Sequence, residues 1–246
     1  VILTISDIER NFSMDRYIDL NEVSDGNLYH SNDLVKTGCG DCKGCSACCE
    51  SMADTIILDP MDIYLLTSYL ETPASSMLYH QIDLGVVDGI VLPHIKMVGN
   101  TNRCPFLTEA RRCSIHEFRP GFCRLFPLGR YYENRSFRYF LQVKECLNQN
   151  RTKVKIRKWI GMPNFNQYEM FIKDWHYFLK DLQKPLIENG PEWAKKVNLL
   201  ILNEFILKPY LIAEDISVLK QDKNYESFYL QFYERLEEIK ITIKAL

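Results

Sequence analysis

The chain has 246 residues, of which 46% are hydrophobic and 25% are charged, and its formal net charge is -2. A chain of this length can bury a substantial core as one large domain or two small ones. The composition is that of an ordinary globular protein, and the charge excludes the basic excess that is typical of nucleic-acid binding. We therefore expect no nucleic-acid partner.

The first residues, Val1 to Phe12, lack the basic leader and apolar stretch of a signal peptide. No uncharged apolar run of about 18 residues occurs that would predict a membrane helix. The nearest candidate, Val197 to Ala213, contains asparagine, glutamate, lysine and proline. We expect no membrane partner and a reducing, cytoplasmic location, in which thiols stay available for metals.

The nine cysteines all lie between Cys39 and Cys146, and this clustering divides the chain. The predicted divisions are an N-terminal arm at 1–37, a cysteine-cluster metal-binding domain at 38–150 and a helical C-terminal region at 151–246 packed on it. Short strands and hairpins followed by helices predict an α+β fold.

The predicted elements follow in order. Thr55 to Leu58 is a strand candidate, and Asp59 and Pro60 then open a helix as N-cap and first helical residue. A shorter helix is expected over 74–81. Hairpins are predicted at 86–92 and 131–143, around Asp88-Gly89 and Asn134-Arg135. Pro93 is expected to interrupt the second strand of the first hairpin. From Thr152 onward the pattern is helical, with apolar spacings of three and four over 166–182, 191–205 and 225–244.

The densest motif is GCGDCKGCSACCE, from Gly38 to Glu50. A thiol at every third residue, on backbone loosened by glycines, can turn several sulfurs toward one point, which suits a thiophilic metal or an iron–sulfur cluster. Buried structural cysteines, disulfides and a thioredoxin-like redox pair are the alternatives. Metal or cluster binding is favoured, because close cysteine repeats inside a cell mostly serve ligation.

A second cysteine group, Cys104, Cys113, Cys123 and Cys146, follows more than fifty residues later in the chain. The adjacent pair Cys48-Cys49 rarely serves one tetrahedral ion, because successive side chains on an extended backbone point in opposite directions. It favours two nearby centres or one multinuclear centre. Eight thiols fit two sites of four, although spacing leaves open which four go together. The predicted ligands are Cys42, Cys45, Cys48, Cys49, Cys104, Cys113, Cys123 and Cys146, with Cys39 as an additional candidate.

Arginines surround the second group, at positions 103, 111, 112, 119, 124 and 130. They are expected either to donate to the sulfurs and offset their negative charge or to form ordinary surface and structural ion pairs. His116, three residues after Cys113, is a reserve ligand in case one of the eight thiols is not involved.

These motifs resemble the CxxCxxCC motif of the YkgJ-type cysteine-cluster family, which is described as zinc- or iron-chelating. The resemblance rests on the run from Cys42 to Cys49, on Cys104-Pro105-Phe106-Leu107 and on the segment from Cys113 to Pro127, and it covers roughly residues 39–150. It implies the same eight ligands and leaves Cys39 as a ninth ligand, a redox thiol or an incidental cysteine. His116 stands where the family usually has tyrosine, which argues against an obligatory ligand.

Three functions are consistent with these residues. The first is an iron–sulfur protein, for example with 4Fe-4S clusters, in electron transfer or redox chemistry with a redox partner protein. The second is a structural zinc module in a scaffolding or interaction protein. The third is a metal- or cluster-dependent enzyme, for example one that modifies a protein. No catalytic residue can be named, because no P-loop, GxGxxG motif or Ser-His-Asp set stands out.

Overall fold

A computed structural model describes residues 19–40, 45–50, 52, 55–99, 103–148, 150–211 and 225–246. Helices and three two-stranded antiparallel sheets make up the described residues, and the predicted α+β fold class is confirmed. The strands are β1 (Leu34–Gly38), β2 (Ile82–Val87), β3 (Ile90–Ile95), β4 (Leu128–Glu133), β5 (Ser136–Leu141) and β6 (Thr152–Lys155). The helices are α1 (Leu20–Val23), α2 (Pro60–Leu70), α3 (Ala74–His80), α4 (Gly121–Leu125), α5 (Ile156–Ile160), α6 (Phe165–Glu188), α7 (Pro191–Ile201) and α8 (Glu226–Lys244).

Helix α2 begins as the sequence predicts. The Asp59 side chain accepts a hydrogen bond from the Asp62 backbone N–H at 2.9 Å, and the Asp62 side chain accepts one from the Asp59 N–H at 3.1 Å. This reciprocal capping box satisfies two donors that the first helical turn leaves without partners. Pro60 occupies the first helical position, where its missing N–H costs nothing.

Both predicted hairpins are present. Asp88 and Gly89 have positive φ angles of 49° and 82°, and Asn134 and Arg135 have 49° and 57°, as two-residue hairpin turns require. The predicted interruption at Pro93 is wrong, because Pro93 lies inside β3 and pairs with Leu84. Its carbonyl also accepts a hydrogen bond from the Leu58 N–H at 2.8 Å.

Two other local predictions fail. The segment from Thr55 to Leu58 forms no regular strand, and within it Ile57 makes an isolated bridge to His94. The helical prediction from Thr152 onward is also wrong at its start, because β6 precedes α5 and pairs with β1. Such a strand depends on a partner more than a hundred residues away, which local periodicity does not reveal. The partner strands meet closely at Gly38, where an added Cβ would lie 2.3 Å from the Thr152 hydroxyl oxygen.

The C-terminal helices share an aromatic core. Phe171 of α6 packs against Phe232 of α8, with ring centroids 4.7 Å apart, and Trp175 packs against Phe205 at 4.9 Å. Phe205 belongs to a π-helical extension of α7, Leu202–Leu207. Tyr64 of α2 contacts Phe228 of α8 at 5.2 Å, so the helices pack on the segment that follows the first cysteine loop. The three-part division of the chain stays a prediction.

Buried Arg235 joins α8 to the end of the α7 extension. Its guanidinium donates to the carbonyls of Glu204, Lys208 and Pro209 at 2.7, 2.9 and 2.6 Å. These bonds satisfy acceptors that the end of a helix leaves without partners.

Of the helices in the described ranges, none combines the length and the apolar character needed to cross a membrane.

Candidate metal centre

The two cysteine groups are joined by backbone contacts. Cys48 and Cys49 lie in a 3-10 turn, Ala47–Glu50, and the carbonyl of Cys49 accepts a hydrogen bond from the Cys104 N–H at 2.8 Å. Residues 104 to 113 then form a tight loop, closed by a bridge between Leu107 and Cys113. The fold therefore brings two groups that are more than fifty residues apart in sequence to one place.

Helix α4 carries Cys123 into the same region. The N–H of Gly121, at its start, donates to Asp62 Oδ1 of α2 at 2.7 Å. A Cβ at position 121 would lie 2.9 Å from the Tyr168 hydroxyl, so this close approach of helices requires glycine. Asp62 thereby connects the capped start of α2 with the helix that presents Cys123.

Five of the predicted ligands interact electrostatically. Cys48 and Cys49 share a hydrogen bond between their side chains. Cys104 and Cys113 contribute to the raised pKa of Cys49, and Cys104 contributes to the raised pKa of Cys123. These five thiols, together with Cys45, line one cavity of about 490 Å³. The cysteines at 45, 48, 49, 104, 113, 123 and 146 are all free thiols, which argues against the disulfide alternative.

The remaining predicted ligands are placed differently. Cys42 lies outside the described residues. Cys45 is exposed, whereas Cys146 is partly buried between β5 and β6 and does not line the cavity. Cys39 directly follows β1 and does not line it either.

The donor chemistry fits a thiophilic metal, but the thiols are not arranged as a finished coordination sphere. In the described ranges, no three side chains of histidine, cysteine, aspartate or glutamate have a geometry that could hold an ion. Thiolate sites commonly take their final geometry when the metal binds, because ligand formation and folding are coupled. The residues that would hold the metal are therefore the gathered cysteines, after small movements of their side chains.

Most of these thiols retain their protons. Burial raises the pKa of Cys104 to about 11, and it raises the pKa values of Cys113 and Cys123 as well. Cys48 is the exception, because a hydrogen bond from the Cys49 thiol lowers its pKa to about 7; the same bond raises the pKa of Cys49. Metal binding would have to displace protons from the other thiols, and Cys48 is the easiest to ionise.

The nearby arginines divide into two groups. Arg119 lies close enough to Cys48 and Cys113 for its charge to favour their ionised forms, although burial outweighs it at Cys113 and raises the pKa of that thiol. It can therefore offset thiolate charge. Arg103 instead donates to the carbonyls of Leu107 and Thr108 at 3.0 and 2.9 Å, which shapes the loop. Buried Arg124 donates to the carbonyl of Arg119 at 2.9 Å, and Arg111 forms an exposed ion pair with Glu50.

His116 packs on Arg119 and lines the cavity. Both of its ring nitrogens lie within 3.0 Å of Arg119 Nη1. This neighbour gives the histidine a packing role beside the thiols. Its role as a reserve ligand stays a prediction.

The sequence analysis missed two polar residues that line the cavity, Tyr132 and His176, and gave Asp59 only a capping role. Asp59, Arg130, Tyr132 and His176 line it together with the thiols. Burial raises the pKa of Asp59 to about 6, and burial followed by the charge of Arg130 lowers the pKa of His176 to about 4. The N-cap signal identified Asp59 as structural, and Arg130 was predicted beside the second cysteine group, but no local pattern indicated Tyr132 or His176.

The fold and the gathered thiols define a cysteine-rich α+β metal-binding protein. Residues 41–153 match the family model CxxCxxCC, described as a "putative zinc- or iron-chelating domain". The chain thus carries a domain of the family that its cysteine motifs resemble. No curated protein and no solved structure matches the chain.

Proposed function

We propose that the chain is an iron–sulfur protein in which thiols from both cysteine groups hold one or two clusters for redox chemistry. The observation that supports this most strongly is the number of sulfurs at one cavity. Six cysteines line it: Cys45, Cys48, Cys49, Cys104, Cys113 and Cys123. A structural zinc site uses four ligands, so six thiols exceed what a single ion requires.

The adjacent pair supports the same proposal. Cys48 and Cys49 interact directly and both line the cavity. Two neighbouring sulfurs at one centre suit a multinuclear cluster or two neighbouring centres better than an isolated tetrahedral ion. When bound, the cluster would supply one-electron transfer at a potential set by its charge, by hydrogen bonds to its sulfurs and by solvent access.

The chain's own residues would control this environment. The cationic side chain of Arg119, near two of the thiols, would stabilise the negatively charged cluster. Exposed Cys45 and the 44% exposed side chain of Phe122 mark a face where the cavity approaches solvent. We place the contact with a redox partner protein on this face, in a reducing compartment that keeps the thiols available.

The test is purification under strictly anaerobic conditions, followed by assays of iron, acid-labile sulfide and zinc. We expect a brown protein with broad visible absorption that bleaches on reduction, and matching amounts of iron and sulfide. A colourless protein that holds stoichiometric zinc and no sulfide would contradict the cluster and favour the zinc module. The anaerobic preparation matters because exposure to air can destroy a cluster and let zinc replace it.

Variants identify the ligands in the same assay. Cys123→Ser should lose most of the iron and sulfide, because this partly buried thiol lines the cavity and interacts with Cys104, Cys48 and Cys113. Cys39→Ser is the comparison variant. Cys39 does not line the cavity, so we expect it to keep the wild-type content, and a loss of iron and sulfide would make Cys39 a ninth ligand. Equal metal content in the wild type and Cys123→Ser would refute the assignment of Cys123.

A further inference from the structure

The thiol-lined cavity extends well beyond the cysteines. It is also lined by Arg130 and Tyr132 of β4, by Asp59, and by Trp175 and His176 of α6. The thiols are influenced by Arg119 and Arg112, whereas the nearest polar groups around Arg130 are Tyr168, Tyr132, Tyr139 and Asp59. The cavity thus has a sulfur end and a separate arginine end.

Arg130 is a half-buried cation whose described partners are aromatic side chains. Its guanidinium donates to the Tyr168 hydroxyl at 3.2 Å and interacts with the Tyr132 side chain. It also lies 5.7 and 6.0 Å from the ring centroids of Phe137 and Tyr168, and its Nε is buried without an acceptor in the described part of the chain. Asp59 acts on it through space, but no described carboxylate forms an ion pair with it. Because Nε itself is enclosed, an added acceptor would bind the part of the guanidinium that lines the cavity.

The charges that line the cavity favour an anion. Among its described lining residues, Asp59 is the single acidic one, against Arg111, Arg112, Arg119 and Arg130. Arg111 is paired with Glu50, and Arg112 and Arg119 act on the thiols, so Arg130 is the cation of the arginine end. One oxygen of Asp59 already accepts the Asp62 N–H at 2.9 Å. His176 adds no charge near neutral pH, because burial lowers its pKa to about 4.

The walls at the arginine end are apolar and aromatic. The ring of His176 stacks on Tyr132, with centroids 3.5 Å apart and an interplanar angle of 9°. The remaining walls are hydrophobic side chains: Phe140, Ile172, Trp175 and Leu179. A cavity of about 490 Å³ lies within the range of roughly 300–1,000 Å³ that is usual for small-molecule sites.

We propose that this end of the cavity binds a small organic carboxylate with an apolar or aromatic body, and that Arg130 holds the carboxylate group. The planar guanidinium matches a carboxylate through paired N–H donors, and the aromatic walls enclose the rest of the molecule. Neither the contact of the carboxylate with Arg130 nor the enclosure by the aromatic walls requires the metal, so this binding goes beyond the proposed redox function. It gives the centre a neighbouring small-molecule site that the cysteine motifs do not indicate.

The test uses phenylacetate as the probe and its neutral amide, phenylacetamide, as the matched control ligand. Binding to the metal-loaded protein is followed by calorimetry and by the fluorescence of Trp159 and Trp175, which line the cavity. We expect saturable binding of the acid and at least tenfold weaker binding of the amide. Equal binding of the two, or no binding of the acid, would overturn the proposal. Inorganic phosphate should bind more weakly than phenylacetate, and equally tight phosphate binding would contradict the role of the apolar walls.

Arg130→Lys tests the anchor, because it keeps the charge and removes the planar donor pair. Binding of phenylacetate should weaken at least tenfold while metal content stays at the wild-type value. Arg135→Lys, at an exposed position on the turn of the same hairpin, should bind like the wild type. Unchanged affinity in Arg130→Lys would refute the anchor. If the anaerobically purified protein contains no metal but still binds the acid more tightly than the amide, the proposed cluster is rejected and this binding site is retained.

Discussion

In the C-terminal helices, Phe171, Trp175, Phe205 and Phe232 pack ring against ring, whereas the cysteine region consists of short turns around a cavity of about 490 Å³. Burying one such aromatic side chain contributes roughly 1.5–3 kcal/mol. The cysteine loops bury fewer large side chains, and their thiols Cys45, Cys48 and Cys49 keep some exposure.

The difference teaches where each half obtains its stability. The helices are stabilised by apolar burial and do not require a ligand. The cysteine loops are connected by backbone hydrogen bonds such as that from the Cys104 N–H to the Cys49 carbonyl. A metal that joins both cysteine groups would therefore add most to the stability of this region. The two halves should therefore respond differently to metal removal and to core substitutions.

The largest effect is expected from metal removal. Chelation should lower the free energy of unfolding by several kcal/mol, because metal binding by thiolates contributes directly to folding. Hydrogen exchange followed by mass spectrometry should show lost protection at residues 45–50 and 103–125, with α6 and α8 still protected. Identical exchange with and without metal would remove the distinction between the halves.

Phe232→Ala tests the opposite half. Phe232 is fully buried, and its truncation should cost about 3–5 kcal/mol, measured by urea unfolding. Metal content per folded molecule should not change, because the described ring contacts of Phe232 are with aromatic residues of the C-terminal helices. Leu230→Ala is the control on the same helix: its side chain is 68% exposed, and its cost should stay within about 0.5 kcal/mol.

Asp62→Ala probes the connection between the halves. The substitution removes the acceptor of the Gly121 N–H, which positions the helix of Cys123, and half of the α2 capping box. The expected loss is about 1–3 kcal/mol, together with weaker metal binding in a competition assay with a chelator. Asp181→Ala, which removes an exposed ion pair with Arg135, should change neither quantity appreciably. Unchanged metal affinity in Asp62→Ala would show that α4 does not need this support.

The smallest effect concerns pH. Burial, aided by Arg130, lowers the pKa of His176 to about 4 from an ordinary 6.5. Between these values the unfolded chain binds a proton that the folded chain does not. The contribution of His176 to stability is therefore fully present above about pH 6.5 and is lost as the pH falls toward about 4.

The variant His176→Gln cannot titrate at this position, so the wild type should lose stability more steeply than the variant over that interval. Burial raises the pKa of Asp59 to about 6, which gives a dependence of the opposite sign, but this term is common to both proteins. Urea unfolding at several pH values measures the two slopes. His80→Gln, at an exposed position, should follow the wild type; parallel slopes for the wild type and His176→Gln would contradict the shift.

Local signals in the sequence predicted much of the fold. Asp59-Pro60 marked the start of α2, Asp88-Gly89 and Asn134-Arg135 marked two hairpin turns, and apolar spacing marked the three long helices. These predictions succeeded because caps, turns and amphipathic faces depend on neighbouring residues. The predictions around Pro93 and Thr152 failed because a strand's pairing depends on distant segments.

The candidate site also has features that local sequence predicts and features that depend on distant segments. Cysteine spacing was sufficient to predict a chelating region, since closely spaced thiols have few other uses in a reducing compartment. The role of each thiol, and of Cys39 and His116, stays a prediction.

The amino-acid sequence by itself determined the chemistry, with many thiols in two groups, and the local elements that carry them. Only the tertiary structure decided that Cys48, Cys104 and Cys123 line one cavity, and that Arg130 and His176 lie at its other end. The physical reason is that side-chain type is a local property, whereas proximity and burial arise from packing between segments far apart in the chain.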